Sequence, residues 1–360
     1  MTSARGFTLV EMLVSTAILL IILSILFTFI QTASTVLQSS NGDIKSFQGA
    51  RDAFATMTRN ISLACLNNYY DYANSSYQTL AQTGNSSTFT PTGCILCSDL
   101  HFVSGKSLVS TSNASTLPFQ QVTHSIFFQA PLGYSANTNY RMLNNLLNAC
   151  GYYVSYNQDT APSFLPPTST LWRYQLMEFI EPTENLSVYG TSLTAGTEYN
   201  WFLNDLNPSV NPSPNTHPIA NNIIALVVQP KASESITTGT NPAAIAPNYE
   251  YDSRKGAPPS YNPPPLNLLP PVVEVVMVAI DEASVRRLGA NQSTVITTAL
   301  NGLFVSGGGG STPTQVQQDD QLQKDLQTLE TNLTTDHINY HVFQTQVVLH
   351  NAQTAWVAPP

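Results

Sequence analysis

"RGFTLVEMLVSTAIL", residues 5 to 19, decides how the rest of the chain is read. A basic residue leads, Gly6 and Phe7 follow, and an apolar run begins that carries one acid, Glu11. From Met12 to Ile30 there are nineteen residues without a charge or a proline. At 1.5 Å per residue such a helix is roughly 28 Å long, about the hydrocarbon thickness of a bilayer. The uncharged stretch continues to Gly42, and the first proline is Pro91, so no ring interrupts a helix through residue 66. The pattern predicts one long helix over 7–66, with a membrane segment at 12–30 and an amphipathic half at 43–66. In that second half Ile44, Phe47, Phe54, Met57 and Ile61 share a face, while Asp43, Lys45, Arg51, Asp52 and Arg59 lie largely off it. Gly42 and Gly49 weaken the middle and mark a place to bend.

Glu11 separates three readings of this segment. A cleaved secretory signal has an apolar core of about 7–15 residues and a small-residue cut site. Here the run is longer, and an acid sits where that class has none. An ordinary signal anchor fits the length but leaves Glu11 and the Gly-Phe junction unexplained. The third reading accounts for each feature. "GFTLVE", residues 6 to 11, resembles the cleavage and methylation motif of type IV prepilins and pseudopilins. The resemblance implies that residues 1–6 are a leader, that a prepilin peptidase cuts between Gly6 and Phe7, and that Phe7 is N-methylated. It also implies that Glu11, fifth in the mature chain, acts in assembly. A glycine before the scissile bond enters a protease site without a side-chain clash. A lone carboxylate is costly in lipid, and in a filament the Phe7 amine of a neighbouring subunit offsets that cost.

Later blocks carry a narrower resemblance. "RDAFATMTRNISLACLNNYYDY" (51–72) looks like the end of the long helix in large minor pilins and J-type pseudopilins. With "LNNLLNACGYYVSY", "YQLMEFIEPTENLSVY", "PPVVEVVMVAIDEASVRRL" and "INYHVFQTQVV", it is more similar still to the Verru_Chthon cassette protein C family, prepilin-like proteins encoded in four-member cassettes in Verrucomicrobia. The resemblance implies filament-subunit architecture and no biochemical activity.

Composition narrows the classes. Charged residues are 10% of the chain, well under the roughly 25% usual in soluble proteins, with Asn, Gln, Ser and Thr in their place, as in exported proteins. A net charge of −9 without basic clusters argues against nucleic acid as a partner. Four cysteines, Cys65, Cys94, Cys97 and Cys150, are compatible with disulfides in three possible pairings.

Beyond the helix, residues 67–360 read as a head. Residues 67–100 look like a long surface connection. "SIFFQA" (125–130), "YYVSY" (152–156) and "YQLMEFIE" (174–181) read as strands, and "NYRMLNNLLNAC" (139–150) as a short helix capped by Gly151. "NNIIALVVQP" (221–230) and "PPVVEVVMVAI" (270–280) are β-branched strands separated by a surface excursion at 231–269. "GGGG" (307–310) marks a break. A helix at 315–333 with Leu322, Leu326, Leu329 and Leu333 on one face follows, then a closing strand at 338–349. No hydrophobic tail follows, so no second anchor is expected.

No catalytic constellation emerges. "CILC" (94–97) lies in an expected loop with no strand-helix context for redox chemistry, and it lacks a second pair for zinc. His337 and His341 are four apart but on an expected strand start. "DEAS" (281–284) has no nucleophile elbow, and Asp281 and Glu282 read as a helix start. "QQDDQLQKD" lacks the alternating ligands of a calcium loop. The glycines at 307–310 lack the Lys-Ser/Thr of a P-loop. The sequence therefore predicts an α+β pilin-like protein, not an enzyme. No cofactor or metal is expected. It would be single-pass in the inner membrane with a periplasmic head, and on a filament or the cell surface after assembly. Its partners would be prepilin peptidase and other pilin or pseudopilin subunits. A tip adhesin or ligand-capture module is the alternative, favoured by an exposed aromatic patch in 67–100 or 231–269. A membrane-anchored periplasmic enzyme is a distant third.

Overall fold

The computed structural model describes residues 9–76, 78–84, 87–106, 108, 123–140, 142–158, 172–190, 197–206, 215–232, 244–255, 266–305 and 313–352, and for 35–46 the backbone alone. Helix α1 spans Leu9–Ser62, 54 residues, or about 80 Å. Its backbone stays helical through both Gly42 and Gly49. Antiparallel sheets follow, giving the expected α+β, pilin-like layout.

Six strands form the main sheet: β3 (Val103–Gly105), β4 (Ser125–Pro131), β5 (Leu147–Gln158), β6 (Trp172–Glu181), β7 (Thr216–Asn221) and β9 (Tyr251–Asp252), in the order β7-β6-β5-β4-β3-β9. A second sheet has the order β11-β10-β8, from β8 (Ile223–Lys231), β10 (Val272–Ile280) and β11 (Tyr340–Val348). Strands β1 (Tyr69–Ala73) and β2 (Gly93–Cys97) make a separate hairpin, with helix α2 (Leu80–Thr83) between them. Helices α3 (Asn200–Leu206), α4 (Glu282–Leu288), α5 (Gln292–Leu300) and α6 (Gln315–Thr335) complete the head.

The two sheets are joined by one extended run that changes sheet at Asn222, where φ is 63°. The corner is locked from both sides. Asn222 N donates to Tyr174 O at 2.7 Å, and its carbonyl accepts from Ile280 N at 2.9 Å. Its side chain donates to Glu282, which Arg173 grips through two nitrogens. Burial alone would raise the Glu282 carboxyl, but the Arg173 fork and the Asn222 and Arg286 donors bring it down to about 2.

Strand alternation sorts the core into two layers. Ile126, Phe128, Tyr152, Val154, Tyr174 and Leu176 face the second sheet and α1, and on α1 Ala50, Ala53, Met57 and Ile61 are buried against them, with Phe47 and Phe54 half-buried. The opposite face carries Phe127, Tyr153, Met177 and Phe179 under Trp201 and Phe202 of α3. The expected stripe on α1 is thus the face that meets the head, while Arg51, Asp52 and Arg59 are exposed.

Several expectations hold and three are corrected. The strands expected near 125, 174, 221, 270 and 338 all form, and Asp281 caps α4 by accepting from Ser284 N. Leu322, Leu326, Leu329 and Leu333 are all buried on α6. First, residues 139–150 are not a helix, because β5 begins at Leu147. The alternation of buried side chains on two sheet faces outweighs a weak helical pattern there, and Gly151 sits mid-strand rather than at a cap. Second, 67–100 holds the β1–β2 hairpin rather than a featureless connection. Third, the 231–269 excursion is not all surface: Tyr249 and Tyr251 are buried, and β9 pairs with β3. The glycine break at 307–310 lies outside the described residues.

Candidate functional site

The first 26 residues of α1, Leu9–Ser34, are apolar and wholly unburied. Sixteen large apolar side chains between Leu9 and Ile30 are exposed, from Leu9 at 81% to Leu23 at 50%. At about 1.5–3 kcal/mol for each side chain left in water, the penalty is on the order of 30 kcal/mol, more than a domain's whole stability. Such a surface needs lipid or neighbouring helices around it. Several hydroxyls within it bond the helix's own carbonyls. Ser15 Oγ donates to Glu11 O at 2.7 Å, Thr28 Oγ1 to Ser24 O at 3.0 Å, and Thr32 Oγ1 to Thr28 O at 2.9 Å, which removes hydroxyls that would be orphaned in hydrocarbon. Glu11 lies in the first turn of α1, where the helix dipole favours an acid. Gly6 and Phe7 lie outside the described residues.

The top of α1 is fastened to the head by a buried relay. Asn60 Nδ2 donates to the Tyr152 hydroxyl at 2.8 Å, which donates to Glu178 Oε1 at 2.6 Å, and His217 Nε2 meets Glu178 Oε2 at 2.9 Å. Burial, then the neighbouring Cys150 and Glu178, push the Tyr152 phenol far up, so it remains a donor. Carbonyls at and just past the end of α1 are also held: Ser62 O accepts from His350 N, and Ala64 O from Asn351 Nδ2.

The chemically richest cluster lies beneath the hairpin. His101 is fully buried, with Nε2 2.8 Å from Asp252 Oδ1 and Nδ1 accepting from Trp201 Nε1 at 3.2 Å. An indole N–H only donates, so Nδ1 carries no proton and Nε2–H points at Asp252. The imidazole is therefore neutral, as burial also dictates. Burial would raise Asp252, but donors from His101, Tyr199 and the Arg254 amide outweigh it and hold the carboxylate low; with the ring neutral, that lowering rests on the hydrogen bonds. Tyr199 donates to Asp252 Oδ2 at 2.7 Å and accepts from Lys255 Nζ at 2.8 Å. A cleft of about 220 Å³ opens above, with Tyr69, Asp71, Glu198 and Lys255 among its walls. Both ring nitrogens of His101 are engaged, so this histidine ties together the segments that carry Asp252 and Trp201. The sequence offered no signal for it, because its members come from three distant segments.

The cysteines are all free thiols. Cys94 and Cys97 lie on β2 rather than in a loop. Three residues of strand separate their Cα atoms by about 10 Å and turn them to opposite faces, beyond the roughly 4.4–6.8 Å that a disulfide spans. Burial raises the Cys65 thiol, lifts Cys97 to about 11, and raises buried Cys150 further, which disfavours the reactive thiolate. His337 occupies a turn at φ 55° and His341 packs at a tilt against Phe47; helical spacing does not apply to them. Among the described residues no group of three or more His, Cys, Asp or Glu could hold a metal ion. Asp319 and Asp325 of the acidic stretch sit on α6 and are engaged by Lys231 and by the amide of Phe304.

On the hairpin, Tyr70 and Tyr72 are 75% and 65% exposed, on one face by their spacing. This is an aromatic patch within 67–100.

Residues 1–27 match the family model described as the prokaryotic N-terminal methylation motif. Comparison with curated proteins and with solved structures gives no match. In its N-terminal segment the chain is therefore type IV pilin-like, with a membrane-anchor type of helix behind the motif.

Proposed function

We propose that this protein is a structural minor pilin or pseudopilin, a subunit of a type IV pilus or a type II secretion-like filament. One observation carries the reading: α1 is a single helix whose first 26 residues are apolar and exposed all round, while its final turns are built into the head. A helix of that kind serves two environments in succession. In the inner membrane, lipid covers Leu9–Ser34. After extraction, equivalent helices of neighbouring subunits cover it. Prepilin peptidase cuts between Gly6 and Phe7, Phe7 is N-methylated, and Glu11 receives the amine of a neighbouring Phe7 and sets axial register. The bulk of the head suits a minor position near the tip, since so large a head is hard to repeat along a tight filament. The head works by interaction rather than catalysis, and it lies on the periplasmic side of a single-pass anchor. The later sequence blocks support membership of the Verru_Chthon cassette protein C family.

A second reading, a tip adhesin or ligand-capture module, is favoured by the exposed Tyr70 and Tyr72 on the hairpin.

Intact-mass and N-terminal analysis from native membranes tests the main reading, alongside Glu11→Ala. The expected mature chain starts at N-methylated Phe7, and the variant is processed normally but missing from sheared filaments. A chain starting at Met1, or one cut near Ala33, would overturn it.

A further inference from the structure

Unpaired sheet edges invite strand addition, and natural proteins blunt them with short strands, prolines, charges, irregular register or a covering segment. Among the described residues, the outer edges of the two larger sheets are blunted, with one exception. In the main sheet, β9 has two residues, and β7 contains Pro218 and shifts register against β6 between Leu176 and Met177. In the second sheet, the far side of β8 is covered: Leu226 O accepts from His124 N, Leu226 N donates to Thr123 Oγ1, and Val228 N donates to His124 Nδ1. That strand also ends in Pro230-Lys231.

Strand β11 has none of these devices. Its nine residues, "YHVFQTQVV", contain no proline and no Asp, Glu, Lys or Arg. It pairs with β10 over nine consecutive positions without a register shift. Among the described residues, nothing besides β10 hydrogen-bonds to its backbone. One face rests on α1, where His341 and Phe343 meet Phe47 and Phe54, while Gln344, Gln346 and Val348 are exposed. It is a long, unbroken edge with β-favouring residues and no charge of its own.

We propose that the free edge of β11 receives an extended, uncharged strand from a different subunit of the same filament. The proposal rests on the filament reading above. Main-chain hydrogen bonds would supply the attachment. Strand β11 offers no counterion of its own, and the one carboxylate opposite it, Glu274 facing Gln346, is already held by Gln344 and Lys231, so the edge suits a neutral strand. Chain direction argues against a second copy joined antiparallel. Strand β11 runs in the same sense as α1, from Phe47 beside His341 to Ser62 O accepting from His350 N. Two β11 strands paired antiparallel would be related by a two-fold axis normal to the sheet. Their α1 helices would then point in opposite directions, and one bilayer could not hold both apolar ends. The edge lies along the flank of α1, where the neighbours in a parallel-helix filament pass.

The test places benzoylphenylalanine at Val348, 62% exposed, in the full chain within native cells. The expected result is a light-dependent adduct to another methylation-motif subunit, mapped by mass spectrometry to an uncharged extended segment. Gln346→Lys and Gln346→Glu should each reduce that adduct at least tenfold, because either charge disfavours a neutral strand; the Glu variant, placed opposite Glu274, should also lower the melting temperature slightly. An adduct to a second copy of this chain, loss with only one of the two charges, or no adduct in assembled filaments would each overturn the proposal. The N-terminus is read in the same sample. A correctly processed chain without an adduct refutes strand addition alone, whereas an unprocessed chain refutes the filament reading itself.

Discussion

Substituting Gly151→Ala tests the packing of the main sheet at its tightest point. A methyl at Gly151 would lie 2.1 Å from Phe127 Cδ1, 2.6 Å from Cε1 and 3.0 Å from Ile126 O, against ordinary carbon contacts of about 3.5–4.0 Å. The ring has nowhere to go. Phe127 is fully buried, stacked on Phe202 with centroids 3.9 Å apart, and edge-on to Trp201 and Phe179. Overpacking of a filled core costs about 1–3 kcal/mol, and this contact belongs at the upper end. Alanine recovers roughly 0.4–1 kcal/mol by stiffening the unfolded chain. The expected net loss is about 2–3 kcal/mol, read as a lowered denaturant midpoint by near-UV circular dichroism of the detergent-solubilised chain. Adding Phe127→Leu to Gly151→Ala makes room for the methyl, so the double variant should be more stable than the summed single losses by about 1.5 kcal/mol or more. A Gly151→Ala chain within 0.5 kcal/mol of the parent, or strictly additive losses, would refute the reasoning.

Further outcomes follow from burial and charge. Ile61→Ala, at a fully buried stalk position, should cost the head about 2–4 kcal/mol, whereas Ile21→Ala in the exposed apolar segment should leave the head's melting unchanged. Burial lowers His124 to about 4, and its fixed neutral tautomer accepts from Val228 N and donates to Phe304 O. An unfolded histidine takes its proton near pH 6.5, so this contribution is complete above that value and is lost as pH falls toward 4, by roughly 2–3 kcal/mol in equilibrium unfolding. Glu181 has the opposite sign: burial, partly opposed by the Ser187 donors, raises it to about 7. The folded state keeps that proton longer than the unfolded one, so stability is lost as pH rises from about 4.5 through 7. Glu181→Gln should flatten this limb and gain roughly 1 kcal/mol at pH 8, a figure discounted for partial solvent screening; an unchanged slope would refute it.

Much of the architecture was readable because its determinants are local. The apolar run, the spacing of Phe47, Phe54, Met57 and Ile61, the β-branched runs that became β8 and β10, and the leucine stripe of α6 each declare themselves within a short window. Residues 139–151 did not, because "LNNLLNACGYY" has leucines at helical spacing and a glycine where a cap would sit. Only Phe127, distant in sequence, reveals that Gly151 is there to let two strands approach. The cluster of His101, Tyr199, Trp201 and Asp252 was illegible for the same reason. No short-range pattern announces a hydrogen bond such as His101 to Asp252, 151 residues apart. The aromatic hairpin lay between these extremes: "NYYDY" showed its tyrosines, but not that Tyr70 and Tyr72 would stand clear of the core.

The direction in which β11 runs along α1 also has a bearing on biogenesis. The stalk stripe is made early, yet its partners arrive late. Asn351 reaches the carbonyls of Leu63 and Ala64 across 288 and 287 residues of chain. At synthesis rates of about 5–20 residues per second, that separation amounts to roughly 15–60 seconds in which Met57 and Ile61 have no β10–β11 surface to cover them. High contact order slows folding, so on the proposed reading the helix would wait in the membrane beside an unfinished head. On the filament reading proposed above, β11 would then act as a checkpoint: only a chain that has closed it onto α1 would present a finished stalk to its neighbours.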